Sequence, residues 1–187
     1  MRFQMESDAV LREIEGLSKR AFLPIIGPVK GKYLVDTVRR FNVKNVLEVG
    51  TLIGYSAILI ASNIPEEGRV VTIEMKPKSA RLAEENILKA GLADKIAVHI
   101  GNAITVIPCM NGSFDMVFLD ATKDEYLEYL KLSESKLERG GVVFADNVKI
   151  FAHEMRDYLD YVRNSGKYKS EYVDVVFDGV EISTKLF

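Results

Sequence analysis

The chain has 187 residues, which favours a single domain and is long enough to bury a substantial hydrophobic core. Its composition is 48% hydrophobic and 28% charged, and its formal net charge of −2 excludes a strongly basic nucleic-acid-binding protein. The single cysteine, Cys109, excludes an internal disulfide, and the lack of a signal peptide or an apolar membrane span predicts a cytoplasmic protein without membrane association.

The predicted elements begin with two helices and then alternate between strands and helices. Apolar residues at helical spacing predict the helices, and short apolar runs bounded by glycine, proline or charged residues predict the strands. In chain order, the predicted elements are helices 6–20 and 29–41, strand 44–50, helix 55–64, strand 69–74, helix 78–91, strands 95–101 and 114–120, helix 126–137, strand 141–146, helix 152–163, and strands 172–177 and 180–187 around a turn at Asp178–Gly179.

This alternation predicts an α/β fold with a doubly wound, mostly parallel, Rossmann-like sheet of about seven strands. The last two strands would form a C-terminal antiparallel hairpin, because so short a turn cannot join parallel neighbours. We expect one domain over residues 1–187, in which residues 1–43 form an N-terminal helical cap and residues 44–187 form the Rossmann-like core.

Acidic side chains follow the fourth and fifth predicted strands at the point where each strand ends. DMVFLDATK (115–123) contains Asp120 and ends in Lys123, and VFADN (143–147) ends in Asp146 and Asn147. The carboxyl ends of parallel strands meet at one edge of the sheet, where ligands bind. Two carboxylates and an amide oxygen suit a hard cation such as Mg²⁺ or Ca²⁺, and Lys123 would lie over the same place.

Features at the ends of the first three predicted strands indicate an adenosine-containing ligand. GTLIG (50–54) lets the backbone approach a ligand, Glu74 is placed to accept hydrogen bonds from a ribose, and residues 101–103 follow the strand where adenine would lie. Leu52 stands where the dinucleotide fingerprint needs its second glycine, which disfavours a pyrophosphate. S-adenosylmethionine, which has no pyrophosphate, meets this description.

Several segments of the chain resemble those of a known family. The segments VLEVGTLIGYSA, VVTIEM, IGNAITVIP, FDMVFLDATKDEY and FADNV are similar to those of the cation-dependent class I O-methyltransferases of the catechol O-methyltransferase type. The similarity extends to GPVKGKYLVDTVRRF (27–41) and DGVEISTKL (178–186). The D-x-x-K motif together with the D-N pair is its specific part, since many methyltransferases share the glycine motif.

The resemblance implies an enzyme that moves a methyl group from S-adenosylmethionine to a hydroxyl of a catechol-like small aromatic. The implied metal is a divalent cation, Mg²⁺ first, with Ca²⁺ or Mn²⁺ as alternatives, held by Asp120, Asp146 and Asn147, and Lys123 matches the catalytic lysine. The residues that match the family's cofactor contacts are Ile26, Glu48, Gly50, Tyr55, Ser56, Glu74, Met75, Asn102, Ala103 and Asp120.

Alternatives to this activity remain open from the sequence. Relatives of this type also methylate a hydroxylated uridine in tRNA, and residues 1–45 carry nine basic against five acidic residues, a charge of +4. A non-catalytic adenosine-binding module is a further alternative, whereas a nicotinamide-dependent oxidoreductase is disfavoured by Leu52. Relatives are often dimers, which suggests a homodimer by analogy only.

Three smaller expectations concern the acceptor pocket. The chain has no tryptophan, so the indole with which family members wall the catechol ring is absent. Glu171 is similar to a family acid that holds the second hydroxyl of the substrate, but the alignment there needs a gap. His153 follows the metal motif closely, although a surface position is favoured.

Overall fold

The computed structural model describes residues 2–187, with side chains described from residue 5 onward. A single 3₁₀ turn, Lys123–Glu125, precedes the sixth helix. In chain order, the helices and strands are α1 (Arg2–Ala21), α2 (Gly27–Arg40), β1 (Asn45–Val49), α3 (Tyr55–Ala61), β2 (Arg69–Glu74), α4 (Pro77–Lys89), β3 (Ile96–Ile100), α5 (Ala103–Cys109), β4 (Phe114–Leu119), α6 (Tyr126–Glu134), β5 (Leu137–Ala145), α7 (Arg156–Asn164), β6 (Tyr168–Val175) and β7 (Asp178–Lys185).

The strands form one seven-stranded sheet in the order β3-β2-β1-β4-β5-β7-β6. Strands β1 to β5 pair with one another in parallel, and β7 is antiparallel to both β5 and β6. The strand order reverses between β1 and β4, and ligands of doubly wound sheets bind outside the carboxyl ends at such a point. The predicted Rossmann-like fold with a C-terminal antiparallel hairpin is confirmed.

Helices cover both faces of the sheet because its central strands are apolar on both sides. Along β4, Met116 and Phe118 belong to the core on one face, and Val117 and Leu119 belong to the core on the other. This alternation follows the two-residue period of a strand. Helices α1 to α4 contribute to the first core and α5 to α7 contribute to the second. No helix within residues 2–187 combines the length and apolar character needed to cross a membrane.

Helix α5 and the start of strand β5 depart from the sequence-based expectation. Helix α5 was not expected, since it has seven residues and contains Pro108; Asn102 caps it by accepting a hydrogen bond from the backbone amide of Ile104. Strand β5 begins at Leu137, which the helical pattern of 126–137 had included. Leu137 instead pairs with Phe114 of β4, before an irregularity in the register.

The expected hairpin turn at Asp178–Gly179 is wrong. Val175 pairs with Asp178, so the two turn residues are Val176 and Phe177, and Val176 adopts a left-handed backbone with φ 52°. A β-branched residue rarely adopts that conformation, whereas an Asp-Gly pair is the usual signal for a tight turn. The local sequence therefore placed the hairpin turn two residues later in the chain than the structure has it.

Candidate functional site

A cleft of about 750 Å³ opens at the carboxyl ends of β1, β2, β4 and β5. Its size is within the range of small-molecule sites. It is lined by all but one of the residues that the sequence assigned to a site, namely Ile26, Gly50, Tyr55, Ser56, Glu74, Met75, Asn102, Ala103, Asp120, Lys123, Asp146 and Asn147.

The glycine loop after β1 allows two strand ends to approach each other closely. Gly50 has φ 104°, and a Cβ there would lie 2.2 Å from the carbonyl oxygen of Asp120 at the end of β4. Gly54 has φ 88° and stands at the N-terminus of α3. The glycine at position 50 is therefore required by the packing of the chain itself, in addition to any approach of a ligand.

Glu74 is held firmly at the end of β2. Its Oε2 accepts a hydrogen bond from the amide of Leu52 at 2.9 Å, and its Oε1 accepts one from the amide of Lys76 at 2.8 Å. Each carboxylate oxygen can accept more than one hydrogen bond, so the fixed carboxylate can also receive the hydroxyls of a ligand. Met75, the next residue, is 59% exposed beside the same cleft.

Glu48 is the one assigned residue that does not line the cleft. It is fully buried in β1, and neither of its carboxyl oxygens accepts a hydrogen bond from the described residues. Burial raises the pKa of Glu48 to about 7, and the nearby hydroxyls of Ser56 and Thr72 offset only part of this rise. Repulsion from Asp120 and Glu74 adds to it, which places Glu48 within electrostatic reach of the cleft.

Lys123 is fixed between two oxygen atoms at the end of β4. Its Nζ lies 2.8 Å from Oδ1 of Asp120 and donates to the hydroxyl of Tyr126 at 2.8 Å. The Tyr126 hydroxyl in turn donates to the carbonyl oxygen of Leu119 at 2.9 Å. Burial raises the pKa of Tyr126 well above its ordinary value, so the side chain is a neutral phenol that orients Lys123.

A second cluster surrounds Asp146 and Asn147 at the end of β5. Oδ1 of Asp146 accepts a hydrogen bond from Nζ of Lys30 at 2.6 Å and another from the backbone amide of Asn147 at 2.7 Å. Asp178 joins the cluster, because its Oδ2 accepts from Lys30 and from Nδ2 of Asn147, both at 2.8 Å. Burial, followed by repulsion from Asp120, raises the pKa of Asp146 to about 6, although Lys30 acts in the opposite direction.

Three contributors to these clusters were not identified as site residues from the sequence. Tyr126 was placed only at the start of the predicted helix 126–137, Asp178 was assigned to a turn, and Lys30 was counted only as part of a basic segment. A lysine three residues before a tyrosine at a helix start was the only available signal for Tyr126. Lys30 reaches Asp146 and Asp178 across 116 and 148 residues of sequence, which no local pattern reveals.

The donor atoms fit a hard divalent cation. Asp120, Asp146 and Asn147 all line the cleft, and because Asn147 donates its Nδ2 to Asp178, its amide oxygen is left for a cation. The mutual repulsion of Asp120 and Asp146 is the charge imbalance that such an ion would relieve. In the part of the chain that the structure describes, no three His, Cys, Asp or Glu side chains gather as a metal site. The set here has two carboxylates and an amide.

Glu171 and His153 lie apart from the residues that line the cleft. The Glu171 carboxylate is 56% exposed and forms an ion pair with Arg40 at 3.0 Å, on the outer strand β6. His153 is exposed in the turn that follows Asn147. From the hairpin, Asp178 rather than Glu171 reaches the end of β5, where it accepts a hydrogen bond from Nδ2 of Asn147.

Comparison with known proteins gives one family. The model of the family described as O-methyltransferase matches residues 5–160. Catechol O-methyltransferase of Niastella koreensis is 38% identical over 148 residues, which cover 76% of this chain and 67% of the relative. Catechol O-methyltransferase B of Danio rerio is 42% identical over 154 residues, which cover 79% of this chain and 58% of the relative. The chain thus matches about three fifths to two thirds of the length of these curated relatives.

Solved structures give the same result across nearly the whole chain. An O-methyltransferase from Bacillus cereus in complex with SAH has a TM-score of 0.86 and 27% identity, covering 95% of this chain and 90% of its own. An O-methyltransferase from Streptomyces achromogenes, involved in tomaymycin synthesis and in complex with SAM, has a TM-score of 0.87, 26% identity and the same coverage.

Proposed function

Because the chain belongs to the O-methyltransferase family, we propose that it transfers the methyl group of S-adenosylmethionine to a hydroxyl of a catechol-like aromatic, with a divalent cation. The observation that carries this proposal is the gathering of Asp120, Asp146, Asn147 and Lys123 at one end of a cleft whose other end holds Glu74. The cofactor is supported by the SAH and SAM of the two structural relatives. The catechol is supported by the names of the curated relatives.

The cofactor would lie along the strand ends, with its ribose at Glu74. The two backbone amides that fix Glu74 hold it as a carboxylate acceptor, which is the group that a ribose diol needs. Met75 and Asn102 line the same end of the cleft, where adenine would lie. In this arrangement the methyl group would be supplied at the end of the cleft that holds Asp120, Asp146 and Asn147.

Asp120, Asp146 and Asn147 would hold the cation, Mg²⁺ being the best match for two carboxylates and an amide oxygen. When bound, such an ion stabilises the oxyanion of an acceptor and fixes two neighbouring oxygens in place. The chain contributes the geometry, since the backbone amide of Asn147 orients Asp146 before any ligand arrives. Orientation of this kind is a large part of catalytic power.

Lys123 would remove the proton of the acceptor hydroxyl. Its Nζ would accept that proton in the neutral amine form. Bound S-adenosylmethionine would supply the methyl group to the acceptor oxygen and would be released as its demethylated thioether. Asp120 and Tyr126 hold Nζ in place at 2.8 Å each, so the base has one position relative to the acceptor. The aromatic ring would contact Ile150 and Phe151, which line the cleft.

Several of the basic residues within 1–45 that suggested a tRNA acceptor are paired with acidic side chains of the chain itself. Arg40 is paired with Glu171, and Lys44 lies 3.5 Å from Glu67. Lys30 is directed into the cation cluster. Bulk tRNA that competes with catechol turnover would nonetheless favour that alternative.

The cation dependence is tested by catechol methylation with S-adenosylmethionine in Mg²⁺ and in excess EDTA. We expect turnover only with the cation, and we expect Asp146→Ala to lower it by about 100-fold or more, because a ligand is lost. Asp160→Ala, an exposed aspartate of α7, is the matched control and should keep full activity. Calorimetry should show that both variants still bind S-adenosylmethionine. Full activity in EDTA, or an unchanged Asp146→Ala rate, would refute the cation assignment.

The base is tested separately with Lys123→Met, which removes the amine and retains the length of the side chain. We expect kcat to fall by about 10²–10⁴-fold, as for the loss of a general base, with cofactor and cation binding retained. Lys89→Met, an exposed lysine at the end of α4, serves as the control. A rate within a few-fold of wild type would assign Lys123 a structural role. Cofactor binding without turnover of any catechol would instead favour the adenosine-binding module.

A further inference from the structure

Among the described residues of the helical cap, Lys30 is the charged side chain that reaches the cluster of Asp146, Asn147 and Asp178. It lies near the start of α2, its side chain is 14% exposed, and its Nζ lies 2.6 Å from Asp146 and 2.8 Å from Asp178. Although burial acts to lower it, the two carboxylates raise the pKa of Lys30 above its ordinary value, so the ammonium is charged at neutral pH.

The cluster has a simple charge pattern. Three aspartates, Asp120, Asp146 and Asp178, face the side chains of two lysines, Lys30 and Lys123. Each carboxylate that would bind the cation is thus already paired with one lysine. Buried carboxylates require such compensation, because an unpaired charge away from water is strongly unfavourable.

Lys30 is not needed to orient Asp146. The carboxylate oxygen that Lys30 contacts also accepts the backbone amide of Asn147 at 2.7 Å, and this hydrogen bond is built into the turn after β5. Lys30 therefore contributes mainly charge. That charge has the same sign as a divalent cation and acts on the same carboxylate.

We propose that Lys30 is an internal counter-ion of the cation site, which balances Asp146 when no cation is bound and weakens the binding of the cation. The inference rests on the cation site of the proposed function. It adds that the cap helix α2 carries a positive charge that competes with the cation for Asp146, and that the cation-free fold depends on this charge.

The direct test is calorimetric titration of the full chain with Mg²⁺ or Mn²⁺ alone. Lys30→Met removes the charge and keeps an unbranched side chain, and we expect it to tighten cation binding by about tenfold or more. Without cation the variant should melt about 5 °C or more below wild type, and saturating Mg²⁺ should recover most of this loss. Lys32→Met, an exposed lysine of the same helix, is the control and should change neither quantity.

Two further variants separate charge from structure and do not require Lys30→Met to fold alone. Asp178→Asn leaves Lys30 with a single carboxylate partner and should weaken cation binding by about tenfold. Lys30→Met combined with Asp178→Asn restores the wild-type net charge of the cluster, so its cation affinity should return to within a few-fold of wild type.

The outcomes distinguish this inference from the proposed function. Tighter binding by Lys30→Met and near-wild-type binding by the double variant support the counter-ion. If wild type binds Mg²⁺ and Lys30→Met binds it with equal or lower affinity, the counter-ion proposal is overturned and the cation site is retained. If Lys30→Met does not fold even with Mg²⁺, the test is Asp178→Asn. An Mg²⁺ affinity equal to that of wild type would then overturn the counter-ion proposal. Absence of cation binding by the wild-type chain overturns the cation site and the counter-ion together.

Discussion

At the scale of single residues, Glu48 is a fully buried carboxyl with a raised pKa. It lies within a parallel strand that is covered on both faces, and no hydrogen bond reaches either of its carboxyl oxygens there. A buried carboxyl in this position is stabilised in its neutral form, which is why its pKa rises to about 7. Buried acids with raised pKa values cluster at functional sites, and Glu48 lies directly before the loop at Gly50 that lines the cleft.

The raised pKa of Glu48 predicts a loss of stability with increasing pH. The unfolded chain releases this proton near the ordinary value of 4.5, while the folded chain retains it up to about 7. The contribution of Glu48 to the free energy of unfolding is therefore fully present below pH 4.5 and is lost as the pH rises through 7. Glu48→Gln, which cannot ionise, should exceed wild type at pH 8 by about 2–3 kcal/mol in the free energy of unfolding.

Urea denaturation at pH 4.5 and pH 8, without cofactor or cation, measures this difference. The gain of Glu48→Gln over wild type should shrink toward zero at the lower pH. Glu66→Gln, at an exposed position between α3 and β2, provides the matched control and should show no pH-dependent gain. A pH-independent difference for Glu48→Gln would mean that Glu48 is ionised in the folded chain.

At the scale of elements, the parallel strands were the most predictable part of the molecule. Strand β2 has the expected bounds, 69–74, because it is buried on both faces and ends abruptly in Glu74. The same reasoning placed Asp120 and Asp146 at strand ends, and parallel pairing then brings those ends to one edge. The positions that line the cleft could therefore be predicted from the apolar runs and their acidic ends.

The parts that could not be predicted depend on contacts distant in sequence. The hairpin turn lies at Val176 and Phe177 rather than at Asp178 and Gly179. The carboxylate of Asp178 instead accepts hydrogen bonds from Lys30 and Asn147, which are distant in sequence. Leu137 looks helical until its pairing with Phe114 is known. Local propensity is a weak guide wherever tertiary contacts of this kind determine the conformation.

A hydrogen bond links the first helix to a residue that lines the cleft. The hydroxyl of Tyr55, at the start of α3, donates to Oε1 of Glu15 in α1 at 2.7 Å, and the Tyr55 ring lines the cleft. Burial, followed by Glu15, raises the pKa of Tyr55, so the phenol remains protonated. Ile26 of the helical cap lines the cleft as well, so the cap and the Rossmann-like core share a wall of the cleft.

At the scale of the whole molecule, the cap and the sheet share one core. Val10, Leu11 and Ile14 of α1 belong to the same buried cluster as Val46 of β1 and Phe118 of β4. A cap that packs into this cluster should gain most of its stability from it, since isolated helices are marginal in water. We therefore propose that residues 1–187 form a single cooperative domain, with the cap as one of its layers.

Cooperativity is tested by Ile14→Ala, which truncates a side chain of α1 that is 2% exposed. If the cap and core unfold together, the whole transition should shift by about 2–4 kcal/mol, and it should stay single and superimposable by far-ultraviolet circular dichroism and tyrosine fluorescence. Leu17→Ala, one turn further along at 43% exposure, should shift it much less. An early partial transition in Ile14→Ala, with an unchanged main transition, would show instead that the cap unfolds as a separate unit.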